Sequence, residues 1–294
     1  MIPQGIGVAL ITPFTRDGEI DVASLEKLTD KLCQEADFLA PLGTTAETPT
    51  LTEEECDKIL DTVFSVNAGR LPVVVGCGGN NTAAVIRKIV YLERKYRPNA
   101  FFSVSPYYNK PSQTGIERHY LEIASRINTP LILYDVPART GRPIAPETTA
   151  KLAKSASNIV GLKDASGSME HANALCLLLD TSSFTLISGD DKFAFLHKKL
   201  GYKAVISVAA NAAAPLMKRL WTAAESSNLY QTFRDDYQHF LEFSDLIFEQ
   251  GSPSGIKHAL KAMGMCESNV RMPLSEISPE LGVRIENVLG KMRV

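Results

Sequence analysis

The stretch Ile159-Val160-Gly161-Leu162-Lys163-Asp164-Ala165-Ser166 places an uninterrupted run of apolar or small residues directly before a lysine. Such a run predicts a strand that is buried on both faces, with Lys163 at the point where the strand leaves the sheet. A neutral lysine amine in apolar surroundings is a nucleophile toward ketones and aldehydes. The alternative interpretation is a lysine that ends the strand and reaches into solvent, as most lysines do. The octapeptide therefore predicts a buried strand and leaves two roles open for its lysine.

Apolar runs of this kind occur eight times in the chain, and a helical pattern follows each of them. One of these helices is predicted to begin at Asp21 and another at the capping box Thr52-Glu53-Glu54-Glu55. Eight strand–helix units predict an α/β fold, a (β/α)8 TIM barrel. A doubly wound open sheet has the same rhythm and is the competing architecture. The predicted strands comprise residues 7–14, 38–43, 72–78, 100–105, 131–136, 159–163, 184–188 and 204–208.

The last part of the chain changes character, because no strand pattern follows residue 208. Only helical patterns remain, and the first of them closes the barrel. The others form a C-terminal helical extension that is larger than barrel closure needs. We therefore divide the chain into a catalytic barrel domain of residues 1–227 and a helical domain of residues 228–294. The predicted helices comprise residues 212–226, 229–250, 254–263 and 279–291.

Composition and charge narrow the class of protein. The chain has 294 residues, of which 45% are hydrophobic and 22% are charged, as is typical of a globular protein. Its formal charge of −2 provides no field that would gather nucleic acid or anionic lipid. No apolar run reaches the length of a membrane span, and the first residues lack the pattern of a signal peptide. We therefore expect a cytoplasmic protein.

The cysteines and histidines predict neither a disulfide framework nor a metal centre. The five cysteines are odd in number, widely scattered and never arranged as CxxC. The five histidines show neither an HxH nor an HExxH pattern. We expect reduced thiols and no dedicated metal-ion site.

In a TIM barrel the chemistry lies at the carboxyl ends of the strands, and here those ends carry reactive and polar side chains. Strand two ends in Gly43-Thr44-Thr45-Ala46-Glu47, whose hydroxyl and N–H donors suit a carboxylate or an oxyanion. Strand four leads into Tyr107 and Tyr108, and Tyr134 lies near the end of strand five, with Arg139 in the loop that follows. Tyrosines can carry protons and an arginine can hold a carboxylate. Taken singly, a threonine-rich segment is more often an ordinary turn before a helix, and a tyrosine at a strand end is more often an aromatic side chain at the barrel rim without a catalytic role.

Together with the lysine, these groups form one mechanism. Lys163 attacks a 2-oxo acid, the Thr44–Thr45 turn holds its carboxylate, and a tyrosine moves the protons needed for dehydration. The resulting Schiff base withdraws electrons, so that the neighbouring carbon can become an enamine and attack an aldehyde. This is aldolase chemistry that needs no metal and no cofactor.

Three segments carry a resemblance to a known family: Gly43-Thr44-Thr45-Ala46-Glu47, Tyr134-Asp135-Val136-Pro137-Ala138-Arg139-Thr140-Gly141 and Gly161-Leu162-Lys163-Asp164-Ala165. They resemble the signatures of the pyruvate-dependent Schiff-base aldolases. Within that superfamily they are most similar to the dihydrodipicolinate-forming branch. The resemblance covers essentially the whole chain. It implies that Lys163 forms the Schiff base with pyruvate and that Tyr134 is the general acid/base. Thr45, with Thr44 alongside, would bind pyruvate.

The resemblance also implies an oligomer. Tyr108 would cross from a neighbouring subunit and would form a proton relay with Thr45 and Tyr134. The protein would then be a homotetramer, built as a dimer of dimers. Main-chain groups near Gly189 and Ile206 would line the pyruvate pocket.

Arg139 distinguishes between close relatives within that family. An arginine suits a short aldehyde with its own carboxylate, and the resemblance implies that this substrate is L-aspartate 4-semialdehyde. Sialic acid lyases share the lysine and the tyrosine, but they handle a polyol and lack this arginine. We therefore favour a synthase of lysine and diaminopimelate biosynthesis over a lyase or dehydratase for another 2-oxo acid. A third hypothesis, a barrel that senses 2-oxo acids without catalysis, conflicts with the simultaneous presence of Lys163, Tyr134, Tyr108 and Thr45.

The chain departs from the family pattern in three places. Ala46 stands where glycine is usual, and it would be strained if its φ had to be positive. Asp135 replaces the commoner asparagine and adds a possible negative charge near the site. The effector site of lysine-inhibited members matches Asn80, Tyr107, Glu53, Cys56 and Ala84. A carboxylate that would pair with the lysine ammonium is missing at Ala84, so we predict weak or absent inhibition by L-lysine.

Overall fold

The computed structural model describes residues 2–225 and 233–292. In this part of the chain, eight strands alternate with helices, and the described strand pairings are parallel. The strands are β1 (Gly5–Ala9), β2 (Phe38–Ala40), β3 (Val74–Gly76), β4 (Ala100–Val104), β5 (Leu131–Asp135), β6 (Ile159–Asp164), β7 (Thr185–Ser188) and β8 (Ala204–Ser207).

The order of the strands in the sheet separates the two candidate architectures. It runs β2-β1-β8-β7-β6-β5-β4-β3, which is the cyclic order of consecutive strands. A doubly wound sheet instead reverses its strand order at an internal strand. The predicted (β/α)8 barrel is therefore confirmed, and the doubly wound sheet is wrong.

Helices follow the strands and also make up the C-terminal part of the chain. The helices are α1 (Val22–Glu35), α2 (Glu53–Asn67), α3 (Thr82–Tyr96), α4 (Gln113–Ala124), α5 (Pro137–Thr140), α6 (Pro146–Ser155), α7 (Met169–Leu178), α8 (Ala194–Lys199), α9 (Ala210–Ala223), α10 (Arg234–Glu249), α11 (Ser254–Ala262) and α12 (Pro279–Leu289). Two short 3₁₀ helices, Thr44–Ala46 and Thr48–Thr50, follow β2. Within the described ranges, no helix combines the length and the apolar character needed to cross a bilayer.

Strand burial explains why continuous apolar runs predicted strands. Of the six residues of β6, all except Val160 are buried, including Lys163 and Asp164 at its end. Both faces of a parallel sheet are covered, so a strand needs no alternation of apolar and polar residues. The strand predicted at residues 38–43 was longer than the observed β2. The strand ends at Ala40 because the next residue, Pro41, has no N–H to donate to the hydrogen-bond ladder of the sheet.

The chain is divided into two compact units, each built from two separate segments. The first comprises Met1–Gln4 and Val73–Ile206, and the second comprises Gly5–Pro72 and Ser207–Val294. In the second unit, Nδ2 of Asn211 on α9 donates to the Ala9 carbonyl of β1 at 2.8 Å. The predicted domain boundary at residues 227 and 228 lies outside the described residues, as do residues 226 and 229–232 of two predicted helices. The division into a barrel and a helical domain stays a prediction.

Candidate active site

Lys163 lies one residue before the end of β6 and is only 5% exposed. In the parallel register Tyr134 of β5 lies opposite it, and Nζ of Lys163 is 4.2 Å from the centre of the Tyr134 ring. The centre of the Phe102 ring is 5.2 Å from the same nitrogen. Lys163 therefore does not reach into bulk solvent, and two aromatic rings flank its amine. The sheet brings together the predicted nucleophile and the predicted acid/base.

Gly189, directly after β7, leaves room for this lysine. A Cβ at this position would lie 3.0 Å from Cε of Lys163 and 2.9 Å from Cβ of Ala165, closer than carbon atoms normally pack. Ile206 of β8 is 2% exposed, and the pairing of β7 with β8 places it and Gly189 at the same carboxyl edge. A glycine is thus needed beside Lys163 for space, not for a special backbone conformation.

A buried polar cluster that was not predicted from the sequence lies next to this pair on the same strands. Asp135 and Asp164 are opposite each other in the β5–β6 register, and both are 0% exposed. Asp164 accepts a hydrogen bond from the hydroxyl of Tyr202 at 2.8 Å, and Nε2 of His171 lies 3.5 Å from Oδ2 of Asp135. Because successive side chains of a strand point to opposite faces, the two aspartates face away from the side on which the lysine lies. The only signal in the sequence was aspartate at position 135.

Asp135 holds a proton more readily than an ordinary aspartate. Burial, reinforced by the negative charge of Asp164, raises the pKa of Asp135 to about 7, although the Ile144 N–H donates to it at 3.0 Å. Ligand atoms of Asp135, Asp164 and His171 lie within 4.8 Å of one another, a spacing that would also suit a metal ion. A proton on Asp135 would also relieve the repulsion between the two carboxylates.

The Thr44–Thr45 turn follows β2 as a 3₁₀ helix in which Thr45 is 5% exposed. The Ala46 N–H donates to the Gly43 carbonyl and the Glu47 N–H to the Thr44 carbonyl, each at 3.1 Å. The positive φ of this turn, 57°, belongs to Glu47, while Ala46 lies within the 3₁₀ helix. The strain considered for Ala46 is therefore not present, and its Cβ fits the turn.

Tyr108 lies at the surface, unlike Tyr134. It is 89% exposed and has a φ of 71°, which is unusual for a residue other than glycine. The neighbouring Tyr107 is 38% exposed, and its carbonyl accepts from Nδ2 of Asn80 at 3.2 Å. Nδ2 of Asn109 donates in turn to the Asn80 carbonyl at 3.1 Å. The loop is thus fixed at its base, while the Tyr108 side chain stands in the open.

Arg139 is exposed and lies in the short helix α5 that directly follows β5. The helix ends at Gly141, whose φ is 72°. A Cβ at Gly141 would lie 2.5 Å from Cε of Lys110 and 3.3 Å from its Nζ. Lys110, which was not predicted as a site residue, therefore brings a second cation to the end of α5. Two accessible cations close to the strand end suit an anionic substrate.

The residues that match the effector site are distributed over the two units. In the first unit, Asn80 binds the Tyr107 carbonyl, and Ala84 occupies the first turn of α3. In the second unit, Glu53 begins α2 at an exposed position, whereas Cys56 is only 2% exposed. Ala84 carries no polar side-chain group, and Cys56 is withdrawn from the surface.

The fold is that of a barrel enzyme, and comparisons with known proteins indicate a synthase of the lyase class. The model of the dihydrodipicolinate synthetase family matches residues 2–291. A curated relative, the 4-hydroxy-tetrahydrodipicolinate synthase of Porphyromonas gingivalis, is 41% identical over 291 residues, 98% of this chain and 97% of its own. The enzyme of the same name from Parabacteroides distasonis is 40% identical over 292 residues, 99% of this chain and 97% of its own.

A solved structure agrees with these relatives. The dihydrodipicolinate synthase from Thermotoga maritima superposes with a TM-score of 0.94 at 33% identity and covers 99% of each chain. The chain belongs to the dihydrodipicolinate synthetase family.

Proposed function

We infer that this chain condenses pyruvate with L-aspartate 4-semialdehyde to give 4-hydroxy-tetrahydrodipicolinate, in lysine and diaminopimelate biosynthesis. It matches curated synthases of that name over nearly their whole length. The observation that carries the inference is the amine of Lys163, buried beside Tyr134 at the carboxyl end of β6. The relatives favour this reaction over a non-catalytic sensor and over a lyase for another 2-oxo acid.

The lysine provides the chemistry through a Schiff base. Its amine attacks C2 of pyruvate, and water leaves, so that a C=N bond replaces the C=O bond. Tyr134 gives a proton to the departing hydroxyl and takes one back in a later step. The iminium withdraws electrons, C3 loses a proton, and the enamine carbon attacks the aldehyde to form the new C–C bond. The amino group of the second substrate then attacks the imine carbon and releases Lys163, so no further cofactor is required.

The Thr44–Thr45 turn is assigned to the carboxylate of pyruvate. Thr45 is 5% exposed, and a hydroxyl or N–H donor that is shielded from water binds a carboxylate more strongly than an exposed donor does. Main-chain groups at Gly189 and Ile206 complete the binding of pyruvate. The small distance between Gly189 and Lys163 supports this assignment.

Arg139 is assigned to the carboxylate of the aldehyde substrate. We predict that Arg139→Ala raises KM for aspartate semialdehyde by about tenfold or more, because a charge-assisted pair is lost, and changes KM for pyruvate by less than about twofold. Steady-state kinetics with each substrate varied in turn measure this. Arg142→Ala, at an exposed position on the same loop, is the matched control. Equal losses for both substrates would contradict the assignment.

We also infer a homotetramer, a dimer of dimers, in which Tyr108 enters the site of a neighbouring subunit. Its exposure and its φ of 71° support this, because a strained conformation that presents an aromatic ring to solvent suits a partner contact. Analytical ultracentrifugation tests the assembly, and a fully active monomer would contradict it.

A cytoplasmic location and a two-domain organisation complete the proposal. The charge of −2 and the five cysteines, which are odd in number, widely scattered and never arranged as CxxC, suit a reducing compartment. Residues 1–227 would form the catalytic barrel domain, and residues 228–294 the helical domain.

Turnover of pyruvate with aspartate semialdehyde is the direct test of this function. In parallel, borohydride with pyruvate should reduce the imine and add a covalent mass to the peptide that carries Lys163. Lys163→Arg, which keeps a long cationic side chain, should show neither turnover nor the adduct. An unmodified Lys163 peptide in an active enzyme would rule out the Schiff-base route.

A further inference from the structure

A buried ion pair lies next to the threonine turn and takes no part in the chemistry described above. Nζ of Lys257, on α11, is 2.5 Å from Oε1 of Glu47, and both side chains are 0% exposed. Removing two charges from water costs free energy that their attraction returns only in part, so well-packed apolar residues would stabilise the fold equally well. A buried ion pair is weak evidence of a stabilising role, and the position of this one at the end of the threonine turn points to a geometric role.

The C-terminal segment holds Glu47 by both carboxylate oxygens. Oε2 accepts the backbone N–H of Arg271 at 2.9 Å, and Oε1 accepts from Nζ of Lys257. Each oxygen of the carboxylate therefore has its own donor. Lys257 is fixed in turn, because Nζ also donates to the Asn269 carbonyl at 2.8 Å and lies 4.2 Å from the centre of the Phe14 ring. Burial lowers the pKa of Lys257, and the Glu47 carboxylate opposes that shift. Glu47 is therefore anchored by groups that follow it by 210 and 224 positions.

Glu47 is also the residue at which the threonine turn ends. Its φ of 57° lies in the left-handed region, a conformation that costs free energy for any residue other than glycine. Its N–H closes the 3₁₀ turn on the Thr44 carbonyl, and its own carbonyl accepts the N–H and Oγ1 of Thr50, both at 2.9 Å. The anchored side chain and the strained backbone belong to the same residue. Movement of the carboxylate would therefore move the end of the turn.

We propose that Lys257 and Glu47 are positioning residues, whose ion pair fixes the Thr44–Thr45 turn in the orientation that receives the carboxylate of pyruvate. The inference rests on the proposed role of these threonines in the condensation. Both charged side chains are fully buried, and both act through the backbone of the turn. The proposal also gives the C-terminal helical segment a task in catalysis, since α11 supplies Lys257.

The double variant Glu47→Gln/Lys257→Met tests this proposal. It removes both charges together, so that neither is left buried alone, and the glutamine oxygen still accepts the Arg271 N–H. KM for pyruvate should rise by about tenfold or more, whereas KM for aspartate semialdehyde and the thermal midpoint should stay close to wild type. Borohydride trapping over a range of pyruvate concentrations should show the same shift. Lys218→Met, which removes a lysine paired with Asp37 in the same unit, is the control and should leave both KM values unchanged.

The outcomes separate this inference from the proposed function. A folded double variant with the wild-type KM for pyruvate overturns the positioning role, and so does an equal rise in both KM values, which indicates general loosening. Thr45→Val tests the threonine turn itself, and a wild-type KM there refutes the proposed carboxylate site instead. Should the double variant fail to fold, Glu47→Asp keeps both charges and shortens the arm by one methylene. It should raise KM for pyruvate alone, and wild-type kinetics would again overturn the proposal.

Discussion

At the scale of the residue, β6 carries an amine and a carboxylate in succession and presents them to opposite faces of the sheet. Lys163 lies beside aromatic rings, whereas Asp164 binds the Tyr202 hydroxyl and faces Asp135. The alternation of side chains along a strand makes this division unavoidable. The cluster around Asp135 therefore supports the same stretch of backbone that carries the nucleophile.

Asp135 should make stability depend on pH. Its pKa is raised from 3.8 to about 7, so the folded protein retains a proton that the unfolded chain releases between these values. Stability therefore falls as the pH rises through this window, and Asp135→Asn removes the loss. We expect the unfolding free energy of Asp135→Asn to exceed that of wild type by up to about 4 kcal/mol at pH 8. This difference should vanish as the pH falls toward 3.8.

Urea unfolding at several pH values measures this difference. Asp17→Asn, at an exposed position, is the control and should show no comparable pH dependence. An advantage of Asp135→Asn that is the same at every pH would show that the pKa of Asp135 is not raised in the folded protein.

Gly189 should be intolerant of any side chain. Gly189→Ala places a methyl group 3.0 Å from Cε of Lys163 and 2.9 Å from Cβ of Ala165, so the lysine must move. We predict a fall in kcat/KM of about tenfold or more and a loss of about 1–3 kcal/mol in unfolding free energy. Gly290→Ala is the control, because its Cβ would have no neighbour nearer than 3.5 Å. Wild-type activity in Gly189→Ala would contradict the tight packing around Lys163.

At the scale of the element, six of the described helices begin after a side chain that accepts a free N–H group of the first turn. The capping box predicted for α2 is present: Oγ1 of Thr52 accepts the Glu55 N–H at 3.2 Å, and the Glu55 carboxylate accepts the Thr52 N–H at 2.9 Å. Asp21, predicted to begin α1, caps it by accepting the Ser24 N–H at 3.1 Å. Similar caps are provided by Asn81, Ser112, Ser168 and Ser278.

Loss of the α2 cap should be measurable without a change of fold. Thr52→Ala removes the acceptor for the Glu55 N–H and should lower the unfolding free energy by about 1 kcal/mol. Thr52→Ser keeps the hydroxyl and should stay within a few tenths of wild type. Chemical denaturation of both variants is the measurement. Equal stabilities for alanine and serine would show that the cap contributes nothing.

At the scale of the whole molecule, the proposed assembly and the predicted effector response involve residues that lie at the surface of a single chain. Tyr108 is almost fully exposed, and Tyr107 beside it is partly exposed. Of the residues that match the effector site, Glu53 is exposed at the start of α2, and Ala84 is half-buried in the first turn of α3. A partner subunit that covered Tyr108 would therefore change the environment of Tyr107 as well.

Inhibition by L-lysine should be weak or absent. Ala84 provides no carboxylate for the ammonium of the effector, and an unpaired ammonium is costly to shield from water. We expect less than half-inhibition at submillimolar L-lysine, measured as initial rates at fixed substrate concentrations. Ala84→Glu should increase the inhibition. Half-inhibition of the wild type by submillimolar L-lysine would contradict this prediction.

Local patterns were sufficient to predict the barrel, the lysine at a strand end and several helix starts. Apolar runs and capping residues act within a few positions of the chain, so they can be recognised before the fold is known. Boundaries were less accurate, as at β2, where Pro41 ends the ladder early. The 3₁₀ helix at Thr44–Ala46 was not predicted, and neither was the left-handed turn at Glu47.

The sequence by itself determined which residues could do chemistry: the amine of Lys163, the hydroxyls of the threonine turn and the tyrosines at strand ends. Only the tertiary structure decided which distant groups meet. The register of β5 against β6 places Tyr134 opposite Lys163, and the chain brings Lys257 to Glu47 across 210 positions. Composition and spacing carry no information about such pairings, because they arise from strand register and from the packing of helices remote in the chain.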